Sequence, residues 1–380
     1  MDLQFSEEQR AMQAQAREFM EQHCPLERVR ALWDTPDGCD DALWGGMAEL
    51  GWMGMLLPEE FGGLGLGVTD LSRVLEELGR GLLPGPFLAH LLGTQAVLLA
   101  GTPAQRAEWL PRLAGGEQRV ALVAHGEGGR TDAQGGNVRA RASGKAHVLE
   151  GGKLAVPGAA QARTLVVAAA GKGGLAFYLV DAAAPGVEIR PLRAIEQGVK
   201  LAGVSFNMVK VPPGQRLAGA SGDEAAAQVS ALCDVALAFD ALGGAERAMH
   251  MAVEYAKLRQ AFGQPIGSFQ AIKHKAADML YAVESLRAIA LWAAWVLDVP
   301  AAARAVPARV AAAMARCTAI ETYDLVVRHA TQVQGAIATT EEHQMHMFAK
   351  RSRLLALSYA PLAWYQELVL QANGFPELAS

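Results

Sequence analysis

One short stretch concentrates residue types suited to holding a charged ligand. In "RQAFGQPIGSFQ" (259–270) an arginine precedes a Gly-Gln-Pro-Ile-Gly turn, and a Phe-Gln pair follows it. Arg259 offers a planar fork that suits a phosphate diester. Gly and Pro interrupt the helical patterns on either side. Ser268 has the right type to cap the next helix, and helix starts present free backbone N–H groups to anions. Gln270 carries both donors and an acceptor, which suits a nucleobase edge. Two readings follow from the residues alone: a turn that grips a dinucleotide cofactor, or an ordinary helix–helix connection with a surface arginine.

Other chemistries find less support. No GxGxxG follows a strand pattern, and neither a P-loop nor a GxSxG elbow occurs. His343 and His346 lie three apart in "HQMH" (343–346) with Glu342 beside them. A metal there lacks a further ligand, so surface or capping histidines are the simpler reading and no metal is expected. Cys24, Cys39, Cys233 and Cys317 are far apart and form no CxxC, which points to neither a zinc site nor a redox pair and suits a reducing cytosol. A net charge of −5, with 19% charged residues, gives no reason to expect nucleic acid. Residues 1–20 contain Asp2, Glu7, Glu8, Arg10, Arg17 and Glu18, unlike a secretory leader. The apolar run "AIALWAAWVL" (288–297) is short for a bilayer, so a cytoplasmic protein without a membrane span is expected.

The elements that must position these residues fall into three blocks. Residues 1–117 read as helical: Ser6 caps "EEQRAMQAQAREFM", and Thr102 with Pro103 opens a helix that stops at Gly115-Gly116. Residues 118–218 change grammar to short β-type runs such as "TLVVAAA", "LAFYLVD" and "GVSFNMVKV", which predicts a small sandwich or barrel. After Pro212-Pro213 helices return over 219–380, including a long alanine-rich helix at 306–335. Segregated runs of this kind predict an α+β chain of three modules rather than a βαβ sheet.

The chain also resembles the acyl-CoA dehydrogenase family. "YAKLRQAFGQPIGSFQAIKHKAADM" (255–279) is similar to that family's RxxFGxPIxxFQ signature. "LGWMGMLLPEEFGGLGLG" (50–67), "GTPAQRAEWLPRLAGGE" (101–117), "LEGGKLAVPGAAQARTLVVAA" (149–169), "GVSFNMVKVP" (203–212) and "QVQGAIATTEEHQMHMFAKRS" (332–352) resemble further family segments in the family's order. The resemblance implies an N-terminal helical domain, a middle β domain and a C-terminal four-helix bundle. It implies FAD bound near a subunit interface, an acyl-CoA substrate and electrons passed to an electron-transfer flavoprotein. It places Arg259 and Gln270 at the pyrophosphate and adenine of a flavin held mainly by the neighbouring subunit, with Phe262 by the adenine. Gln332 and Gly335 match the segment that approaches the same diphosphate. The implied assembly is a homo-oligomer, or a hetero-oligomer with a related dehydrogenase chain.

Three departures qualify the resemblance. The stretch "AHGEGGRTD" (124–132) keeps only general polarity and Asp132 of the motif that lines the flavin ring and thioester. Ala336 and Ala338 replace glycines beside Gly335, and two methyls there crowd a phosphate. The reaction needs a carboxylate for the α-proton, and the family's Tyr-Glu-Gly-Thr loop is missing from the C-terminal segment. On the first helix of the C-terminal module the acids before the Gly pair are Asp234 and Asp240, and Cys233 or Asp234 stands nearest the family's other base position. Asp240, in "VALAFDALGG", has the more apolar setting, which raises a carboxyl's pKa. Either aspartate serves as the base, or Asp240 only bonds a neighbouring helix. Two functions remain open: a complete acyl-CoA dehydrogenase, or a non-catalytic or half-catalytic subunit that lends the FAD clamp to a related chain.

Overall fold

A computed structural model describes residues 5–124 and 138–375. The stretch 125–132 of the flavin-ring motif, Asp132 included, therefore lies outside the described residues. Six helices come first: α1 (Glu7–His23), α2 (Leu26–Trp33), α3 (Asp41–Glu49), α4 (Val68–Arg80), α5 (Phe87–Ala100) and α6 (Pro103–Ala114). The capping residues work as their types predict. Ser6 Oγ accepts from Gln9 N while Gln9 Oε1 accepts from Ser6 N, and Thr102 and Gln105 repeat the exchange at α6.

The middle block forms β1 (Val120–Val123), β2 (Val138–Ser143), β3 (Ala146–Pro157), β4 (Thr164–Gly171), β5 (Gly174–Asp181), β6 (Val187–Leu192) and β7 (Leu201–Val211). They make one hydrogen-bonded sheet in the order β1-β4-β2-β3-β7-β6, with β5 also on β4. The pairings are mixed, because β1 and β2 run parallel to β4 and the other pairs are antiparallel. Short runs separated by Gly turns predicted strands correctly. They did not predict the mixed pairing or the order of the strands, and residues of all seven strands share one apolar core.

The last block holds α7 (Gly222–Leu258), α8 (Gln270–Asp298), α9 (Ala308–Gln334), α10 (Met345–Leu357) and α11 (Leu362–Ala372). α7 and α8 are long and apolar enough to cross a bilayer by length and composition. The most apolar stretch of α7 is 72% buried within the protein, and that of α8 39%. The module keeps the expected helical bundle and adds α11, which packs on α9. α7 crosses α4 at backbone distance. A Cβ on Gly79 would meet Asp240 O at 2.3 Å, and one on Gly243 would meet Glu76 O at 1.9 Å. That approach fixes Asp240 against the N-terminal module.

The modules share buried polar anchors. His90 on α5 is fully buried: its Nε2 lies 3.0 Å from Leu113 O, and its Nδ1 accepts from Val120 N at the start of β1. Burial pushes its pKa down to about 4 from the ordinary 6.5. A histidine kept neutral contributes stability that is present above pH 6.5 and lost as pH falls from there through 4. We predict a loss on the order of 2–3 kcal/mol in unfolding free energy between pH 7.5 and 4.5. Urea melts at the two pH values test it. A slope unchanged in His90→Gln would assign the loss to another group.

Candidate functional site

The turn that opened the sequence reading folds as a hairpin between two helices. Gln260–Ala261 (β8) pairs with Gln264–Pro265 (β9), and Phe262 and Gly263 at the tip both have positive φ, +52° and +79°. Two successive positive φ values suit a two-residue loop whose twist matches its strands, and glycine takes this readily at one of the two. Phe262 is the non-glycine of the pair, and its ring is 95% exposed. Ser268 does not cap α8. Its hydroxyl donates to Pro265 O at 2.7 Å, Ile266–Ser268 makes a 3-10 turn, and α8 begins at Gln270 with Phe269 as its N-cap. The proline carbonyl three residues back is the nearer partner, so the turn consumes the hydroxyl that a cap requires.

The other expected clamp residues lie at the same end of the bundle. α7 and α9 advance together, since Asp234 meets Arg316 and Gly244 packs on Tyr323. α7 therefore ends at Arg259, α8 starts at Gln270 and α9 ends at Gln334 on one face. Arg259, Phe262, Gln270, Gln332 and Gly335 are all exposed there. Gly335 has φ +71° and ψ −150°, a conformation for glycine, and no atom lies within 4 Å of where its Cβ would stand. Beside it the Gln334 amide is buried, and neither of its polar atoms has a hydrogen-bond partner among the described residues. Of the two methyls expected to crowd this approach, Ala338 is 2% exposed and turns into the core, while Ala336 is exposed. The crowding expectation thus falls to one methyl. An open glycine, a free guanidinium fork and unused amide capacity fit the diphosphate end of FAD.

A second feature lies inside the chain. A crevice of about 810 Å³ separates the β3–β7–β6 face from α10 and the segment after it. Ala155 and Tyr359 line it, and both are non-glycine residues with positive φ, +54° and +69°. β3 also shifts register between Lys153 and Val156. A bulge and two strained residues facing one cavity are the pattern of a built site. Lys153 lies 4% exposed in this wall, donates from Nζ to Ala124 O at 2.9 Å, and has its pKa lowered to about 8 by burial. Lys350 and Arg353 on α10 add positive charge. The crevice has room for a planar ring system and the polar end of a thioester, and so fits the other end of FAD.

The two candidate bases part company. Six residues apart is about 600° of helix turn, so they face directions about 120° apart. Asp234 accepts from Tyr365 Oη at 2.7 Å and lies 4.0 Å from Arg316, against α11 and outside the lining of either cavity described here. Burial raises its pKa to about 6, opposed by Arg316 and the Tyr365 hydrogen bond. Asp240 lines a smaller cavity of about 70 Å³ that shares Pro157, Leu201, Leu354, Ser358 and Tyr359 with the large crevice. Its Oδ2 accepts from Arg351 Nη1 at 3.2 Å, and its Oδ1 has no hydrogen-bond partner among the described residues. Burial raises its pKa, and Arg351 works against the rise.

Arg351, Glu196 and Lys153 are the site residues that sequence reasoning missed. Arg351 is 2% exposed, donates to Asp240 and to Leu83 O (2.8 Å), and stands 3.5 Å from Glu196, itself 3% exposed. The signal available was an arginine inside the apolar run "MFAKRSRLLAL" (347–357), which reads as a surface charge until its partners are known. His343 Nδ1 accepts from Met345 N at the start of α10, and no cluster of metal-ligating side chains occurs among the described residues.

Similarity searches converge on one family. The family described as acyl-CoA dehydrogenase, N-terminal domain, matches residues 6–117, and acyl-CoA dehydrogenase, C-terminal domain, matches residues 235–358. The chain is 31% identical to "Acyl-CoA dehydrogenase IpdE2" of Mycolicibacterium smegmatis over 91% of this chain and 93% of that one. A chain in the crystal structure of the ChsE4–ChsE5 complex from Mycobacterium tuberculosis superposes with a TM-score of 0.89 at 26% identity, covering 99% of this chain and 100% of that chain. A glutaryl-CoA dehydrogenase from Mycobacterium smegmatis in complex with FADH2 has the same fold, with a TM-score of 0.90 at 19% identity and coverage of 99% and 97%.

Breaking a buried ion pair by removing one partner costs about 3–5 kcal/mol. Arg351→Met is expected to destabilise the protein by that amount, read as a lower urea midpoint at unchanged m-value. A loss below about 1 kcal/mol would remove Arg351 from its place as the link between modules.

Proposed function

This chain belongs to the acyl-CoA dehydrogenase family, and we propose on that premise that it serves the FAD-dependent α,β-dehydrogenation of an acyl-CoA thioester within an oligomer, with electrons passing to an electron-transfer flavoprotein. The carrying observation is the division of the site. The crevice lies inside the chain, while Arg259, Gln270, Gln332 and Gly335 stand exposed at the far end of the bundle. Exposed groups hold a dinucleotide weakly unless a second chain brings the rest of the site to them. FAD, when bound, supplies the acceptor for the β-hydrogen and its electron pair. The chain's own part is to fix the ends of the cofactor, to shield the thioester in the crevice and to keep the α-carbon near a proton acceptor.

Of the chain's own proposed bases, Asp240 is better placed than Asp234, since it lines the cavity that joins the crevice. The arginine on its Oδ2 favours a second reading, because an arginine-paired carboxylate is a weaker base. In that reading the chain is a half-catalytic subunit of a hetero-oligomer, and a related chain supplies the base. The similarity to a chain of a two-protein complex supports this reading.

The visible spectrum of the protein purified alone, followed by addition of acyl-CoA thioesters, separates the two. Flavin absorption that bleaches with a thioester supports a self-sufficient dehydrogenase. A colourless protein that holds flavin only with a co-expressed relative supports the subunit. In whichever form holds flavin, Arg259→Ala is expected to weaken FAD retention about ten- to hundredfold, the scale of a lost charged hydrogen bond. Unchanged retention would remove the hairpin from the cofactor site. If Asp240 is the base, Asp240→Asn lowers turnover by about 10²–10⁴ with every thioester tested.

A further inference from the structure

The smaller cavity has walls that a plain hydrocarbon chain does not match. Leu75, Leu78, Leu83, Phe87 and Leu88 from the N-terminal module and Leu237 from α7 make it mostly apolar. Set among them is one charged pair, Asp240 with Arg351, together with Ser358 and Tyr359. Its volume of about 70 Å³ admits only about five water-sized groups, at roughly 10–15 Å³ each. An alkyl end pressed against the pair would strip its remaining solvation and return no hydrogen bond.

The pair has polar capacity to spare. A carboxylate has about four lone-pair sites, and among the described residues Asp240 accepts one hydrogen bond, on Oδ2 from Arg351. Arg351 donates to Asp240 and to Leu83 O, while its Nε stands 3.5 Å from Glu196 and makes no hydrogen bond among the described residues. A hydroxyl, which can donate to Asp240, therefore matches this wall better than an alkyl end does. Burial raises the Asp240 pKa, and the Arg351 charge beside it works against that rise.

We propose that this cavity takes the far end of the acyl group and that the Asp240–Arg351 pair selects acyl thioesters carrying a hydroxyl there. The inference rests on the reading of the adjoining crevice as an acyl-CoA site. It gives Asp240 to substrate specificity in place of the α-proton.

The test is binding of matched thioesters to the flavin-bearing protein by isothermal titration calorimetry. The probes are omega-hydroxybutyryl-CoA against butyryl-CoA, and omega-hydroxyhexanoyl-CoA against hexanoyl-CoA. The proposal expects at least one hydroxylated probe to bind about tenfold tighter than its plain partner. Asp240→Leu should abolish or reverse that preference. If that variant fails to fold, Asp240→Asn, which keeps shape and an acceptor, should narrow the preference to within about threefold. Equal binding within both pairs overturns the inference and leaves the acyl-CoA reading standing. Binding of none of the four probes overturns both. Turnover lost with all probes in Asp240→Asn, at an unchanged binding ratio, overturns the inference in favour of Asp240 as the base.

Discussion

A single buried guanidinium organises this molecule. Arg351, on α10, touches each of the three modules: Asp240 of α7, the Leu83 carbonyl that follows α4, and Glu196 of the loop between β6 and β7. A buried arginine is tolerable only when its charge is answered, and here two carboxylates and a carbonyl from three separate parts of the chain answer it. The relative positions of the modules are constrained by that requirement. So is the crevice, whose walls come from the same β sheet and the same helix. A residue that reads as one charge in a helical run thus fixes where the cavity wall stands.

The same economy appears at the seam between α4, α7 and α8. Arg73, Glu76 and Glu77 of α4 are each 1% exposed, and Arg17, Arg80, Glu246 and Arg287 complete the network around them. The two helices approach so closely at Gly79 and Gly243 that no side chain fits between their backbones. Charged residues then bind where apolar side chains cannot interdigitate. Such a network adds little net stability compared with hydrocarbon, but it accepts only one register of α4 on α7. That register is what turns Asp240 towards the cavity and leaves Asp234 to Tyr365 and Arg316.

Local features were legible in the sequence because their causes are local. Ser6, Thr102 and Pro103 mark helix starts through hydrogen bonds or dihedrals within four residues. The strands of the middle block followed from Gly-punctuated β-type runs, and the break at 259–270 from its Gly and Pro. The residues of that break left two readings open, and the exposure of Arg259, Gln270, Gln332 and Gly335 on one bundle end was not legible, since it depends on α7 and α9 running parallel. The crevice was not legible, because β3 and α10 are about two hundred residues apart in the chain. The difference between Asp234 and Asp240 was hidden for another reason. The more apolar setting of Asp240 did not reveal its role, and only the partners on other helices distinguish a carboxylate that anchors α11 from one that borders a cavity. The order and mixed pairing of the strands escaped prediction because strand runs carry no record of which neighbour they choose.

The distribution of strain bears on how the site is used. Among the described residues positive φ at non-glycine positions is found at Leu82, Ala155, Met208, Phe262 and Tyr359, and of these Ala155 and Tyr359 border the crevice and Phe262 tips the exposed hairpin. Strain of this kind costs about 1–3 kcal/mol per residue and persists only where surrounding structure holds it. Around Ala155 the holder is the sheet, through the pairing of β3 with β7; around Tyr359 it is the last turn of α10, where the Leu355 carbonyl accepts from the buried Arg316. Phe262 has no such holder among the described residues: its side chain is exposed, with the Phe269 ring 6.1 Å away. A bulky aromatic held out on a strained hairpin, beside a free arginine, is stable at low cost only if another surface covers it. A second chain laid against this face would cover the ring and the guanidinium together, which is what the proposed oligomeric reading requires of it.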